Sequence, residues 1–461
     1  MRWYLLRLWW LVVLVSVYTT LGFAGVGKWK TYTAKGEIRD LTYDKDSKTI
    51  WAATAGGMFS YRLSDETFQE FTTSEGLRTI DLTAIAIDGR GAIWVGTSNG
   101  FLHVYFPSSQ TWQYISDIFL FNAPQKRINA LQVVGDTLFI LSDIGVSVVS
   151  ISRMEFGDTY ARFGLGSGQI IGNVAALQIF NDKLWLATLN GIASISTTNA
   201  NPSAPGSWQI YTTAQGVASN AISGFAISNG SLFAATSAGL SVFNGNSWST
   251  VLGTSGLNII NVTTAAQTCP TCPLLYFITS TDLWTYMSGG GVSKAASGFP
   301  SNLTNILADT ILATQSNGLL IKHNTAWLPK SPPGPPSNKF VGLAVDERGI
   351  LWAGTGTRFG EGFMSFDGLQ WKSYTAELDF RLGDNNYYKV SIGRNNTKWI
   401  SNWGQGIALV DDGDAHLMFD RVDDAAFRFV EDAHRFDTCF GLTVLPRLRG
   451  RELPPRRKDS R

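Results

Sequence analysis

One short pattern recurs nine times along this 461-residue chain, and it constrains the fold more than any other feature. Each copy is an apolar strand with an aromatic or large aliphatic residue, then two intervening residues, then Thr, Ser or Asn. A glycine-containing turn and a second apolar strand usually come next. The copies begin at Trp51, Trp94, Phe139, Trp185, Phe233, Tyr276, Ile311, Trp352 and Trp399. Successive starts lie 35 to 48 residues apart, which predicts four-stranded propeller blades and excludes helical repeats of similar length.

The second unit shows how each copy divides into four strands. An Asn-Gly pair at Asn99 favours the positive φ angles of a tight hairpin turn. The predicted strands are Leu82–Ile87, Ile93–Thr97, Phe101–Phe106 and Thr111–Tyr114. We expect the recurrent rings to pack between neighbouring blades rather than to stack on a ligand. These blade aromatics are Trp51, Trp94, Phe139, Trp185, Phe233, Trp352 and Trp399.

A proline-rich segment, residues 329–337, separates the first seven units from the last two. Proline cannot donate to a strand ladder, so this segment cannot form a central strand. We therefore predict an all-β chain with a closed seven-bladed β-propeller over residues 26–330 and a linker at 331–338. Residues 339–410 then form two blades of an incomplete second propeller. The alternatives are one ring shared by early and late units in another register, and a single nine-bladed ring.

Both ends of the chain differ in character from the repeats. Residues 1–24 have Arg2 and Arg7, an apolar run and small residues at Gly22 and Ala24, which predicts a secretory signal peptide. The alternative is an uncleaved membrane anchor. Residues 411–461 contain nine of the 22 arginines and no Asn, Gln, Tyr, Trp or Ile. We expect a frameshifted or wrongly joined reading frame there, and the alternative is a genuine basic interaction tail.

Charge and export narrow the setting in which the chain works. Its formal net charge is +1 and only 16% of its residues are charged, which argues against nucleic-acid binding. We expect an exported, soluble protein of the periplasm or outer cell surface, with no stable membrane insertion after signal cleavage. The sequence carries no indication of an oligomeric state.

Three cysteines fit an exported protein. Cys269 and Cys272 form a Cys-Pro-Thr-Cys motif in strand-like surroundings, whereas Cys439 stands alone. A redox dithiol needs a βαβ context, and a zinc site needs two more ligands in a suitable arrangement. A local disulfide between Cys269 and Cys272, or two unpaired loop thiols, are the remaining interpretations.

Motifs for catalysis and metal binding have simpler structural explanations. The run Gly96-Thr-Ser-Asn-Gly100 matches a hydrolase pattern, but that pattern needs a strand-to-helix elbow, and here it forms a hairpin. None of the four histidines has a metal-type partner on the same element face. The acidic residues between strands have turn roles. We therefore predict no catalytic residues, no metal site and no cofactor.

The segments that precede the inner strands should meet at one mouth of the ring. They supply Asn and Arg, whose side chains could hydrogen-bond a sugar or an anionic glycan. The alternative is that each Asn satisfies its local turn. The candidate ligand-binding residues at this ring mouth are Arg78, Arg127, Asn173, Asn220, Asn261 and Asn302, with Asn338 in the later part of the chain.

The units at residues 93–100 and 351–355 resemble the two-component-regulator propeller repeat. Residues 27–54, which follow the signal, look most like the N-terminal propeller of PorZ-type proteins of type IX secretion systems. That resemblance implies a non-enzymatic scaffold that helps attach cargo to anionic lipopolysaccharide, with a glycan or a secretion-machinery protein as its partner. The alternatives are a glycan-sensing propeller of a hybrid two-component sensor, truncated before its membrane span and kinase, and a propeller polysaccharide hydrolase or lyase.

Overall fold

The protein is all-β in the computed structural model, as the repeat predicts. The structure describes residues 29–265, 272–287, 289, 291–308, 310–411 and 414–419, so the predicted signal peptide lies outside it. Within these ranges there are nine four-stranded antiparallel sheets and one two-stranded sheet. In each four-stranded sheet the strands pair in chain order, so the first strand is at one edge and the fourth at the other.

The first three sheets cover the first three repeats. Sheet 1 contains β1 (Ile38–Asp44), β2 (Thr49–Thr54), β3 (Gly57–Arg62) and β4 (Thr67–Phe71). Sheet 2 contains β5 (Leu82–Ile87), β6 (Ile93–Thr97), β7 (Leu102–Phe106) and β8 (Thr111–Ile115). A short helix, α1 (Asp117–Leu120), then leads to sheet 3. Sheet 3 contains β9 (Ile128–Val134), β10 (Thr137–Ser142), β11 (Val146–Ser150) and β12 (Glu155–Tyr160).

A two-stranded ribbon, β13 (Arg162–Phe163) and β14 (Ile170–Ile171), precedes sheet 4. Sheet 4 contains β15 (Val174–Phe180), β16 (Lys183–Thr188), β17 (Gly191–Ser196) and β18 (Gln209–Tyr211). Sheet 5 contains β19 (Ile222–Ser228), β20 (Ser231–Thr236), β21 (Gly239–Phe243) and β22 (Trp248–Thr250). Sheet 6 contains β23 (Asn261–Thr264), β24 (Pro273–Ile278), β25 (Asp282–Met287) and β26 (Val292–Ser297).

The last three sheets lie on both sides of the proline-rich segment. Sheet 7 contains β27 (Leu303–Ala308), β28 (Ile311–Thr314), β29 (Leu319–His323) and β30 (Ala326–Lys330). Sheet 8 contains β31 (Gly342–Val345), β32 (Leu351–Gly354), β33 (Phe363–Phe366) and β34 (Trp371–Tyr374). Sheet 9 contains β35 (Tyr387–Ile392), β36 (Lys398–Asn402), β37 (Ile407–Asp411) and β38 (Asp414–Phe419). Short 3-10 turns occupy Thr73–Glu75, Gly166–Gly168, Pro205–Ser207, Thr213–Gln215, Phe380–Leu382 and Arg394–Asn396.

Hydrophobic clusters fill the spaces between successive sheets. Trp51 packs between sheets 1 and 2, Trp94 between sheets 2 and 3, and Trp185 between sheets 4 and 5. Phe233 lies in the cluster of sheets 5 and 6, and Trp352 in that of sheets 8 and 9. These five rings are buried. The other two blade aromatics, Phe139 and Trp399, are only partly buried.

The aromatic residues of the outer strands make a second contact between sheets. Trp112 Nε1 donates to the Glu75 carbonyl at 2.8 Å, and Tyr114 Oη donates to the Gly76 carbonyl at 2.7 Å. Gly76 has φ of 118°, and a Cβ there would lie 2.6 Å from the Trp112 ring. This contact gives a structural reason for two sequence features. One is the Gly-Leu pair after the outer strand of the first unit, and the other is the aromatic residues in the outer strand of the second unit.

Sheet 7 packs against sheet 1, so the series of contacts between successive sheets leads back to the first sheet. Their shared cluster joins Ile311, Ala313 and Leu319 to residues of β1, β2 and β3. Thr304 Oγ1 donates to the Ile38 carbonyl at 2.7 Å, and Asn305 Nδ2 donates to Asp40 Oδ1 at 2.8 Å. All four strands of sheet 1 come from one continuous stretch, so this junction is held by side chains and packing rather than by a shared ladder.

The Thr304→Val variant tests the junction between sheets 7 and 1. Valine keeps the shape of threonine but cannot donate to the Ile38 carbonyl, so we expect a loss of about 1 kcal/mol in the free energy of unfolding. Thr83→Val is the matched control, because Thr83 Oγ1 makes the same contact with the Ile128 carbonyl between sheets 2 and 3. Urea unfolding should give similar losses for both. A loss for Thr83→Val alone would contradict a continuous ring of contacts.

Two aspartates organise the turns for which the sequence predicted a turn role. The Asp88 carboxylate accepts hydrogen bonds from the Arg90 and Ala92 backbone N–H groups and from Trp94 Nε1 at 3.0 Å. Asp346 repeats the arrangement with Trp352 Nε1 at 3.3 Å and also contacts Lys398 Nζ at 3.3 Å. The side chains of both aspartates are fully buried. They fix each hairpin to the tryptophan six residues later.

The segment before sheet 1 contacts the linker and sheet 8. Asn338 pairs with Ala34 through its Oδ1 and Nδ2 atoms at 2.6 and 3.0 Å. The Tyr32 ring lies 5.1 Å from Phe366, measured between ring centroids. Asn338 therefore joins two backbone segments and does not line the channel.

Sheet 9 extends beyond the boundary predicted at residue 410. Its fourth strand, β38, lies within the stretch of changed composition and pairs with β37. The register includes Ile407 opposite Phe419 and Asp411 opposite Asp414. Residues 420–461 lie outside the described ranges, so the origin of the tail stays a prediction.

Candidate ligand site at the mouth of the central channel

A cavity of about 840 Å³ lies between the inner strands of sheets 1–7. Each of these sheets contributes lining residues from its first strand or from the segment just before it. Several of the polar side chains that line it are amides or guanidinium groups near the starts of inner strands. They include Arg39, Arg127, Asn129, Asn173, Asn261 and Asn305. We call the end where the inner strands begin the channel mouth.

A β-bulge at the start of most inner strands positions the polar groups of the mouth. In β1, β5, β15, β19 and β27 the register shifts by one residue after the first strand residue. The extra residue is turned out of the ladder, where it can contact the next sheet. Three hydroxyls in such positions donate to the first inner-strand region of the next sheet: Thr83 to Ile128, Ser223 to Ile259 and Thr304 to Ile38.

A chain of side-chain hydrogen bonds links the inner strands of sheets 6, 7 and 1. Asn261 Nδ2 donates to Asn305 Oδ1 at 2.7 Å, and Asn305 Nδ2 donates to Asp40 Oδ1 at 2.8 Å. Asp40 also accepts from the backbone N–H groups of Leu41 and Ile85 at 2.9 Å. Its carboxylate therefore has three donors, one of them from sheet 2, and ties three neighbouring sheets together.

The Asp40 side chain titrates in an unusual range. Burial raises its pKa to about 6, although the hydrogen bonds from Ile85, Leu41 and Asn305 act in the opposite direction. We expect Asn305→Leu to raise the pKa of Asp40 further, because this variant removes a donor to the charged form. Asn302→Leu is the control, since Asn302 pairs with Gln315 and has no contact with Asp40 among those described. Titration of aspartate ¹³Cγ resonances measures both. A lower pKa in Asn305→Leu would contradict the assigned contact.

Two arginines at the mouth have different surroundings. Arg39 is paired with Glu37 at 2.9 Å and with Asp81, which also accepts from Ser98 Oγ. Among the described residues, the Arg127 guanidinium has no carboxylate within 4 Å and no hydrogen bond. Burial and the charge of Arg39 lower the pKa of Arg127. Arg127 is therefore the cation of the lining that is free to bind a ligand.

The predicted mouth residues divide into two groups. Arg127, Asn173 and Asn261 line the channel. Arg78, Asn220 and Asn302 lie outside its lining and have local contacts, so they do not form one site with the first group. Arg78 lies over the Tyr114 ring, Asn220 Oδ1 accepts from the Thr213 backbone N–H, and Asn302 pairs with Gln315. Residues that precede different inner strands lie at different distances from the channel. Their spacing along the sequence could not reveal this difference.

Sequence reasoning missed the residues that connect the mouth. Asn129 Nδ2 donates to Asp143 Oδ1 at 3.2 Å and to the Val174 carbonyl at 3.1 Å. Asn305 and Asp40 were not singled out either. A usable signal was a polar residue one or two positions after the first buried residue of the inner strand, as in Ile38-Arg-Asp40 and Leu303-Thr-Asn305.

The predicted disulfide is only partly within the described residues. Cys272 takes part in a disulfide, whereas Cys269 lies outside the described ranges. The pairing of these two residues stays a prediction. Across the described ranges there is no cluster of three or more His, Cys, Asp or Glu that could hold a metal ion. A search of the same ranges for helices long and apolar enough to cross a membrane finds none.

The sheets and the channel define an all-β protein with a propeller-like fold. Among solved structures, the chain resembles PorZ, described as an essential bacterial surface component of the type IX secretion system of Porphyromonas gingivalis. The two are 16% identical with a TM-score of 0.68, and the match covers 87% of this chain and 54% of PorZ. The chain therefore spans about half the length of that protein. At this identity the likeness shows the fold alone.

Extracellular domains of Bacteroides sensors are also similar. One, from a putative hybrid two-component system of B. thetaiotaomicron, is 16% identical with a TM-score of 0.43, over 72% of this chain and 50% of that chain. Another from the same organism is 14% identical with a TM-score of 0.27, over 86% and 66%. The likeness to PorZ agrees with the PorZ-type resemblance of residues 27–54. No family model and no curated protein matches the chain.

Proposed function

We propose that the protein is a non-enzymatic, exported scaffold that binds a glycan through the mouth of a closed seven-bladed propeller. Sheets 1–7 are its blades, and sheets 8 and 9 begin a second ring. The contact between sheets 7 and 1 supports this blade count, since it returns the order of packing to the first sheet. Propellers typically have four to eight blades, and their radial arrangement leaves only short, protected edges.

The unpaired guanidinium of Arg127 is the observation that carries the binding proposal. It lies in a channel whose other polar groups include the amides of Asn129 and Asn173. Guanidinium and amide groups together match the hydroxyl and carboxylate groups of acidic sugars. The channel carboxylate Asp40 supports a binding role rather than catalysis, because three donors engage it.

The site of action that we propose is the outer cell surface. PorZ, whose fold the chain shares, is described as a surface component of type IX secretion. We propose an accessory role of the same kind here, in which the channel holds anionic lipopolysaccharide during attachment of secreted cargo.

A glycan array that includes anionic lipopolysaccharides tests the proposal on the intact protein. We expect binding to acidic glycans, and we expect Arg127→Gln to weaken it at least about tenfold. Arg153→Gln is the matched control, because Arg153 is an exposed arginine at the opposite end of the ring, paired with Glu155. Binding to no glycan, or equal binding by Arg127→Gln and the intact protein, would leave the channel without this function.

A further inference from the structure

Exposed apolar side chains gather at one end of the ring. Eight large hydrophobic residues between residues 37 and 330 are exposed in the described ranges, and five of them lie in connections at the channel mouth. The five are Leu120, Phe121, Ile171, Leu189 and Leu252. Only Val134 lies at the opposite end, and it is the least exposed, at 36%. Of the remaining two, Leu165 lies beside Gly206 and Leu328 lies on the outer strand β30.

Ordered elements hold these side chains outward. Helix α1 buries Ile118, which is 3% exposed, and presents Leu120, which is 73% exposed. The ribbon of β13 and β14 buries Phe163 and Ile170 and presents Ile171. Both elements are additions to the repeating sheets and occupy neighbouring connections, before sheet 3 and before sheet 4. The apolar surface is therefore part of the folded structure rather than a mobile loop.

Cations without carboxylate partners accompany the apolar residues. Arg162 is opposite Ile171 in the ribbon and is exposed. Arg78 lies over the Tyr114 ring at 4.4 Å, and Lys126 Nζ donates to the Phe119 carbonyl at 2.6 Å. No salt bridge within the described ranges includes any of the three. A partner that covers this end would gain by supplying acidic groups beside apolar ones.

We propose that this end of the ring is a docking surface for a protein that presents apolar side chains flanked by Asp or Glu. We call it the rim surface, defined by Leu120, Phe121, Ile171, Leu189 and Leu252 with Arg78, Lys126 and Arg162. It adjoins the channel site through Leu189, which also lines the cavity, but none of its cations does. The concentration of exposed large apolar side chains at this end, beside cations without carboxylate partners, carries the proposal. Protein and glycan would then meet the ring at the same end.

Selection from a phage-displayed library of random peptides tests the rim surface on the intact chain. We expect selected peptides to combine Leu, Phe or Ile with Asp or Glu. The variant Leu120→Ser/Ile171→Ser should bind a selected synthetic peptide at least about tenfold more weakly, as should Arg162→Glu. Matched controls are Val134→Ser/Leu328→Ser and Arg153→Glu, which change similar residues away from the rim surface. All substituted side chains are exposed, with Val134 the least exposed of the apolar ones at 36%, so folding should be retained.

Three results would overturn the proposal. The first is selection of peptides that lack this composition, or of none. The second is equal weakening by the rim and control variants. The third is binding of the intact chain to phosphatidylcholine or phosphatidylglycerol vesicles that is lost in the rim variants, which would assign the surface to lipid. Glycan binding by the rim variants separates this test from that of the channel, since it should persist even if peptide binding is lost.

Discussion

Lowering the pH from 6.5 to about 4 should reduce the free energy of unfolding by about 3 kcal/mol through His103 alone. The side chain is fully buried in β7, and its Nε2 accepts the Arg78 backbone N–H at 3.1 Å. Burial lowers its pKa to about 4, and the charge of Arg78 adds to the effect. The folded state therefore keeps His103 neutral in this range, while the unfolded chain takes up a proton.

The sign of the effect follows from proton uptake. Because the pKa of His103 is lower in the folded state, its contribution is complete above pH 6.5 and is lost as the pH falls towards 4. Asp40 acts in the opposite direction, since its raised pKa favours the folded state below about pH 6. Asp40 is only partly buried, whereas His103 is fully buried, so we expect the contribution of Asp40 to be the smaller of the two. A variant of His103 separates its contribution from that of Asp40.

Urea unfolding across this pH range measures the histidine contribution. His103→Gln keeps a hydrogen-bond acceptor but cannot titrate. Over this pH range its free energy of unfolding should therefore fall by about 3 kcal/mol less than that of the intact protein. His323→Gln is the control, because His323 is exposed on β29 and should leave the pH dependence unchanged. If His103→Gln loses stability on acidification as steeply as the intact protein, another group is responsible.

The Asp346→Ala variant should destabilise sheets 8 and 9 by about 4 kcal/mol. Asp346 is fully buried, and Lys398, whose side chain is 1% exposed, lies 3.3 Å away. Removing the carboxylate leaves a buried ammonium without its partner and frees the indole of Trp352 and two backbone N–H groups. Hydrogen exchange of amides in β32 and β36 reports the opening of these two sheets and is the appropriate measurement.

Two further variants isolate the role of the buried lysine. Asp88→Ala removes the equivalent turn carboxylate where the basic partner, Arg90, is half exposed, so we expect a smaller loss of about 2 kcal/mol. Asp346→Ala/Lys398→Met removes both charges and should recover part of the stability lost in Asp346→Ala. A double variant no more stable than Asp346→Ala would show that the lysine charge is not the source of the loss.

The repeat made the sheets predictable, because turns and alternating apolar residues act locally. In sheet 2, the predicted strands Leu82–Ile87 and Ile93–Thr97 agree with β5 and β6 residue for residue. The burial of Trp94 follows from the same pattern. Predictions based on local spacing therefore needed no knowledge of which sheets become neighbours.

The channel site was only partly predictable, because it depends on contacts between distant residues. Asp40 and Asn305 are 265 positions apart and meet only because sheet 7 packs on sheet 1. Arg78 and Arg127 both precede an inner strand, yet only Arg127 lines the channel, since Arg78 turns outward over Tyr114. The residue type was informative, whereas the direction of each side chain depended on the bulge and the neighbouring sheet.

Hydrogen exchange of the intact protein with and without its best glycan from the array tests the central claim most directly. If the channel mouth binds the glycan, protection should increase at the starts of β9, β15 and β23, where Arg127, Asn173 and Asn261 lie, and should not increase there in Arg127→Gln. Protection confined to the outer strands, to the opposite end of the ring, or to sheets 8 and 9 would contradict ligand binding at the mouth.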